Sequence, residues 1–313
     1  MAPPLLILGV SRSGTTLLRV MLDRNSQLAV PDESFFVPLL ADRHIRRVDV
    51  NEFVDDVRRL KTVEEWGVPL DRLRARLTDR MPIARAIAAI YEVYAEEQGK
   101  PRWGDKTPMY MRHVLLLRRL FPGAQYVHLI RDGRDAALSF LSLPEGIAFQ
   151  TWAHPTRAAD FAALWRTEVA RARRIGRKLG PGRYLEVRYE DLVAEPEPVL
   201  QRICVFAGLP YEKAMREHGG SGSEERVHQQ SLKRPVTGGL RDWRAEMNPR
   251  DVGAFEGVAG DLLAELGYET SSGADTRGRV KRASYRAQMA GWRAATFAYR
   301  RSPLWQRRHP RLR

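Results

Sequence analysis

Residues 5–24, LLILGVSRSGTTLLRVMLDR, decide the fold. Leu5 to Val10 is an unbroken apolar run closed by a Gly/Ser loop, the pattern of a central strand in a parallel sheet covered on both faces. From Thr15 to Arg24 the spacing becomes helical, with Leu18, Met21 and Leu22 on one face. Between strand and helix lies Gly9-Val-Ser-Arg-Ser-Gly-Thr-Thr16. Backbone N–H groups at such a helix start converge outside the chain and the helix dipole adds positive potential, so the loop predicts an anion site. Gly9 and Gly14 permit close backbone approach to phosphate oxygens. Ser13, Thr15 and Thr16 offer hydroxyls, and Arg12 offers a charged donor.

The spacing from Gly9 to Gly14 and the hydroxyl at Thr16 match a nucleoside-triphosphate loop, but Thr15 stands where that loop carries its lysine. ATP hydrolysis is therefore disfavoured, and a ligand with a shorter 5′-phosphate chain fits better. A glycine turn that merely starts a helix is the simpler reading. The coincidence of strand, loop, Arg-Ser-Gly-Thr-Thr and helix weighs against it.

Outward from this unit, Leu28–Val30, Gln125–Ile130 and Tyr184–Tyr189 read as further strands, and 84–97, 110–120 and 161–179 as helices. Strands alternating with helices predict an α/β fold: a single P-loop-type domain with a central parallel sheet flanked by helices. Residues 37–100 carry charged helical segments and no convincing strand, so they read as a helical insertion after the first βα unit, placed to bind an acceptor. Residues 141–156 read as an irregular loop suited to a lid. The linker Ser271–Gly278 separates a domain of residues 1–270 from a basic C-terminal helical tail, 271–313.

The charge of the 313-residue chain follows that division. Its formal +14 is concentrated in the tail, where 12 Lys/Arg face only Asp275, a net of +11. The remaining 40 basic and 37 acidic residues leave +3. The body is not globally cationic, and no nucleic-acid partner is expected. Tyr285, Met289, Trp292 and Tyr299 recur at near-helical spacing among arginines. Either a packed terminal helix or peripheral contact of residues 280–313 with an anionic membrane would use that pattern. No run reaches the roughly 18 to 20 apolar residues of a membrane span. The N-terminus lacks a charged lead-in, and Cys204 is the only cysteine, so a cytoplasmic location is expected.

A second motif, Tyr126-Val-His-Leu-Ile-Arg-Asp-Gly-Arg-Asp-Ala-Ala-Leu-Ser139, places Arg131 at the carboxyl end of a strand, where open α/β sheets bind ligands. Its guanidinium could hold a phosphate in bidentate fashion, and Ser139, two helical turns on, could add a hydroxyl. The competing reading pairs Arg131 with Asp132 or Asp135. His128, inside the strand, reads as structural.

With both motifs in view, the chain resembles the sulfotransferases that use 3′-phosphoadenosine 5′-phosphosulfate (PAPS), closest in style to their tyrosylprotein and carbohydrate branches. The resemblance spans roughly residues 1–270, including Tyr189-Glu-Asp-Leu192 and the segment at Trp243. It implies sulfuryl transfer to an acceptor hydroxyl, of a glycan, glycolipid or small metabolite, with peptide hydroxyls left open. A sulfuryl group carries less negative charge than a phosphoryl group, so lysines and backbone donors suffice and no metal is required. The resemblance also implies that the loop residues Arg12, Ser13, Gly14, Thr15 and Thr16 hold the 5′-phosphosulfate, while Arg131 and Ser139 hold the 3′-phosphate. Tyr189 and either Lys233 or Arg234 would add cofactor contacts. Glu33 matches the position of a catalytic glutamate, with Asp32 its nearest rival as general base. Lys106, in Trp103-Gly-Asp-Lys-Thr-Pro108, resembles a lysine that contacts the leaving oxygen, a role Arg12 could share. The alternatives are carboxylates that only start the next helix and a loop lysine paired with Asp105. One departure is Leu143, which stands where the family carries a cofactor-binding arginine. A kinase on the same scaffold and a non-catalytic nucleotide-binding module are the rival functions.

Overall fold

Leu5-Leu-Ile-Leu forms the middle strand of a parallel sheet in the computed structural model of the chain, which describes residues 2–44, 48–143, 155–216 and 241–271 and scattered positions between 280 and 298. Strands β1 (Leu5–Leu8), β2 (Leu28–Ala29), β3 (Arg102–Lys106), β4 (Gln125–Ile130) and β5 (Tyr184–Arg188) lie in the order β2-β3-β1-β4-β5. All four pairings are parallel. The alternation of side chains along β1 supplies two cores. Leu6 and Leu8 join one apolar cluster, and Leu5 and Ile7 join the other.

Helix α1 (Thr15–Asp23) returns the chain to β2. Five helices, α2 (Val37–Arg43), α3 (Val50–Arg58), α4 (Lys61–Glu65), α5 (Leu70–Ala75) and α6 (Ile83–Glu97), then make the crossover to β3. The expected helical insertion is thus this crossover. α7 (Val114–Leu120) leads to β4, and α8 (Gly133–Leu141) and α9 (Ala158–Leu179) lie between β4 and β5. After β5 come α10 (Tyr189–Ala194), α11 (Pro196–Ala207), the short α12 (Trp243–Glu246) and α13 (Pro249–Glu265). From β1 the chain goes to the edge strand β2, returns to β3 beside β1 and then crosses to the other side at β4, so the carboxyl ends of β1, β3 and β4 frame the crevice where open α/β sheets bind ligands.

The sequence reading missed β3. Arg102-Trp-Gly-Asp-Lys106 looks like a polar loop, yet every residue of it is buried. Its charges are tolerated because each has a partner. Arg102 donates to the Ala207 carbonyl and the Gln125 side chain, Asp105 accepts from the Tyr91 hydroxyl, and Lys106 meets Glu33. Trp103 stacks on Tyr91 with centroids 4.4 Å apart. The helix expected over 110–120 is also divided: Pro108–His113 forms a 3₁₀ turn before α7.

A second buried ionic group secures the end of β4. Arg134, fully buried, donates to Asp132 at 2.7 Å and to Glu256 of α13 at 2.6 Å, beneath the Trp243 ring at 3.6 Å. Trp165 of α9 donates from Nε1 to the Arg131 carbonyl at 3.2 Å. Three helices therefore fix the backbone that carries Arg131.

Candidate active site

The loop after β1 is shaped by two left-handed residues, Arg12 (φ 71°) and Gly14 (φ 83°). Gly14 caps α1 without a side-chain hydrogen bond, and no acidic residue lies in the first turn of that helix. The N–H groups there are the orphans that every helix start leaves, and nothing negative competes for them. A Cβ on Gly14 would meet the Tyr189 ring at 2.3 Å, and one on Gly9 would meet the Leu129 carbonyl at 2.9 Å. Both glycines are needed for space, and Gly14 also for its backbone angle.

Arg131 lies against this loop. Its Nη1 donates to the Arg12 carbonyl at 3.2 Å, and its guanidinium sits 4.6 Å from the centre of the Tyr189 ring. It is 6% exposed and makes no ion pair with Asp132 or Asp135. Its Nε is buried without a hydrogen-bond partner among the described residues. Arg12 Nε donates to Ser139 Oγ at 2.9 Å. Arg12, Arg131, Ser139 and Tyr189, distant in sequence, thus form one cluster beside the start of α1. Burial, then the charges of Arg131 and Arg241, hold the Arg12 guanidinium below its ordinary pKa. An anion entering the cluster would relieve that repulsion.

Glu33 and Lys106 meet at the neighbouring strand end. Lys106 Nζ, fully buried, donates to Glu33 Oε1 at 2.6 Å and to Thr16 Oγ1 at 3.2 Å. Glu33 Oε2 has no protein partner among the described residues. Asp32 turns away and pairs with Arg19 at 3.1 Å. Lys106 does not pair with Asp105, which faces the opposite side of β3 and hydrogen-bonds Tyr91 at 2.8 Å.

The sulfotransferase family profile matches residues 3–213. The chain belongs to the sulfotransferase family. It is a PAPS-dependent enzyme that passes a sulfuryl group to a hydroxyl acceptor. Protein-tyrosine sulfotransferase A of Caenorhabditis elegans is 27% identical over 288 residues, covering 89% of this chain and 70% of that protein. The nodulation protein NoeE of Sinorhizobium fredii is 29% identical over 319 residues, covering 91% and 72%. The sulfotransferase domain of the Synechococcus olefin synthase superposes with a TM-score of 0.60 at 26% identity, covering 86% of this chain and 97% of that domain.

In this sulfotransferase the residues present fit PAPS: an uncapped helix start, a cradle that a Cβ would fill, and a buried guanidinium nitrogen without a partner. The expected loop residues Ser13, Gly14, Thr15 and Thr16 all line the turn into α1. Lys233 and Arg234, most of the expected lid and Tyr285, Met289, Trp292 and Tyr299 of the tail lie outside the described residues. No helix among the described residues is long and apolar enough to cross a membrane. His128 is fully buried, its Nδ1 lies 2.6 Å from the Tyr184 hydroxyl, and burial pushes its pKa down to about 3. That environment suits the structural role expected of it.

Sequence reasoning gave Arg241 no role. Its Nη2 donates to Ser142 Oγ at 2.9 Å at the end of α8, and its charge reaches Arg12. The signal was its place just before Asp242-Trp243, but nothing in the sequence brings position 241 to position 142.

Two expectations follow for this sulfotransferase. Gly14→Ala should weaken binding of 3′-phosphoadenosine 5′-phosphate (PAP) by at least about tenfold, because a left-handed angle costs a non-glycine residue roughly 1–2 kcal/mol before any clash. The added methyl must also displace the Tyr189 ring. Calorimetric titration measures the loss, and unchanged affinity would contradict the cradle.

The second concerns pH. Burial raises Asp105 to about 6, against hydrogen bonds from Ser34, Tyr91 and Thr107 and the Lys106 charge. Its folded value then exceeds its unfolded value of 3.8, so the folded protein holds the extra proton between about pH 4 and 6. The contribution of this group to stability therefore falls as pH rises through that window, by a total on the order of 3 kcal/mol. Denaturant titrations of wild type and Asp105→Asn, which cannot ionise there, should show wild type losing that amount relative to the variant as pH rises from 4 to 6. Parallel curves would refute it.

Proposed function

We propose that Glu33 is the general base of the transfer and that the acceptor is a hydroxyl of a glycan, glycolipid or small metabolite. One observation carries the assignment: Glu33 sits 2.6 Å from an ammonium whose other contact, at 3.2 Å, is the phosphate-loop hydroxyl of Thr16. A proton acceptor and a cation thus stand side by side at the mouth of the anion cradle. PAPS supplies a sulfuryl group that passes to the acceptor oxygen by in-line displacement, leaving PAP.

The chain's own residues divide the remaining work. Glu33 Oε1 stays with Lys106 while Oε2 accepts the acceptor's proton. Lys106, with Arg12, holds positive charge beside the loop, where negative charge grows on the leaving side. Ser13, Gly14, Thr15 and Thr16 seat the 5′ end through their N–H and hydroxyl groups. Arg131 and Ser139, with Arg12 between them, hold the 3′-phosphate, and Tyr189 supports the Arg131 guanidinium. These assignments rest on the cluster geometry and on the match of each residue to the family pattern.

The test is a transfer screen. PAPS and the purified protein are incubated with oligosaccharides, glycolipids, small alcohols and phenols, and a tyrosine-containing acidic peptide. Mass spectrometry reads the sulfated product. Sulfation within the first three classes, absent in Glu33→Gln, is the expected result. Sulfation of the peptide alone would overturn the acceptor class, and full transfer by Glu33→Gln would overturn the base.

A further inference from the structure

Behind the Glu33–Lys106 pair, on the opposite side of β3, lies a buried hydroxyl cluster to which no role has been given. We infer that Tyr110, Ser34 and Thr107 form a positioning relay that locks the Glu33 segment onto β3 and so sets the Glu33–Lys106 contact, with Tyr110 as its keystone. The inference rests on the reading of Glu33 and Lys106 as the reacting pair.

The chain registers are what connect the two sides. Ser34 follows Glu33, and Asp105 and Thr107 flank Lys106. In an extended strand adjacent side chains point to opposite faces. When Lys106 turns toward the phosphate loop, Asp105 and Thr107 turn to the other side. There the Ser34 N–H donates to Thr107 Oγ1 at 3.0 Å, and the two hydroxyls lie 3.2 Å apart. The loop that carries Glu33 is thereby fastened to the residue next to Lys106.

Tyr110 closes the arrangement. Its hydroxyl lies 2.6 Å from Ser34 Oγ and accepts the Val37 N–H at 3.0 Å. Since Val37 N–H can only donate, the phenol proton is free to be given to Ser34. The donor order therefore runs from the Val37 amide through the Tyr110 hydroxyl to Ser34. On the far side of the cluster the Tyr91 hydroxyl donates to Asp105 at 2.8 Å, and Ser34 and Thr107 lie close enough to act on the Asp105 carboxyl. The relay spans the turn at Phe35, whose φ of 54° is uncommon for a non-glycine residue. Such a turn persists only where its surroundings over-determine it, and Ser34 and Val37 are pinned on either side of it. Tyr110 and Ser34 are both fixed in the core, at 2% and 1% exposure, so the relay moves little relative to β3.

The experiment labels lysines rather than measuring turnover. The full chain is acetylated under limiting reagent, and mass spectrometry follows Lys106 beside Lys100, which is held by Asp23 and the Leu28 carbonyl outside the relay. Tyr110→Phe, which deletes only the hydroxyl, should raise the Lys106 rate by at least about tenfold, the scale of one lost buried hydrogen bond. Lys100 should stay as in wild type. In the Glu33→Ala background the same substitution should add nothing, because the contact it sets is gone. Thr107→Val is the second variant and should behave alike. A Lys106 rate unchanged in both variants, a joint rise at Lys106 and Lys100, or an additive effect on Glu33→Ala would each overturn the relay. Transfer assays separate this from the reading beneath it. Full activity of Glu33→Gln sinks the catalytic pair itself, whereas unmoved labelling with an inactive Glu33→Gln sinks the relay alone.

Discussion

Glu33→Gln is expected to lower kcat by about 10²- to 10⁴-fold, the usual worth of a positioned general base, while PAP affinity stays close to wild type. The amide is chosen because its oxygen can still accept from Lys106 Nζ, which is fully buried and would otherwise be stranded. Leaving a buried ammonium with no partner costs several kcal/mol, so Glu33→Ala would confuse lost catalysis with lost stability. What Gln cannot do is take a proton. The loss should therefore fall on kcat at every pH, with PAP binding and the unfolding midpoint little moved. Asp32→Asn is the control: Asp32 is committed to Arg19 at 3.1 Å and should retain most activity. If Asp32→Asn were the inactive variant, the two carboxylates would exchange roles.

Arg131→Ala should weaken PAP by at least about 100-fold, since charge-assisted hydrogen bonds to a buried ionic group are each worth about 1.5–3 kcal/mol and a guanidinium can make two. Two further contacts go with it, the stacking on Tyr189 and the hydrogen bond to the Arg12 carbonyl. Arg131→Lys separates charge from geometry: an ammonium keeps the charge but not the fork, so its affinity should fall between the two. Binding of 5′-AMP, which has no 3′-phosphate, should hardly change in either variant. An equal loss for both nucleotides would mean that Arg131 supports the loop rather than reading the phosphate.

Much of this was legible because the decisive units are local. The strand, glycine loop and helix from Leu5 to Asp23 carry their own periodicity, as do β4 with Arg131 and the crossover helices. β3 was not legible. A strand of Arg, Trp, Gly, Asp and Lys is buried only because Gln125, Tyr91, Ala207 and Glu33 meet its polar atoms, and those partners are spread along the chain. Charged residues are rarely buried unless paired, and pairing is a tertiary fact. The same limit applied to the site. Glu33 and Lys106 could each be named from motif, but not their 2.6 Å contact across 73 positions. Arg241, 99 positions from Ser142, was given no role for the same reason.

The measurement that bears most directly on the cofactor cradle is calorimetric titration of the wild-type protein with PAP beside 5′-AMP at one salt concentration. On the proposed reading Arg12, Arg131 and Ser139 hold the second phosphate, so PAP should bind at least about 100-fold more tightly, the same worth that two guanidinium hydrogen bonds imply. Equal affinity for the two nucleotides would contradict the account at its centre, leaving the start of α1 as a general phosphate site and the Arg131 cluster as part of the fold.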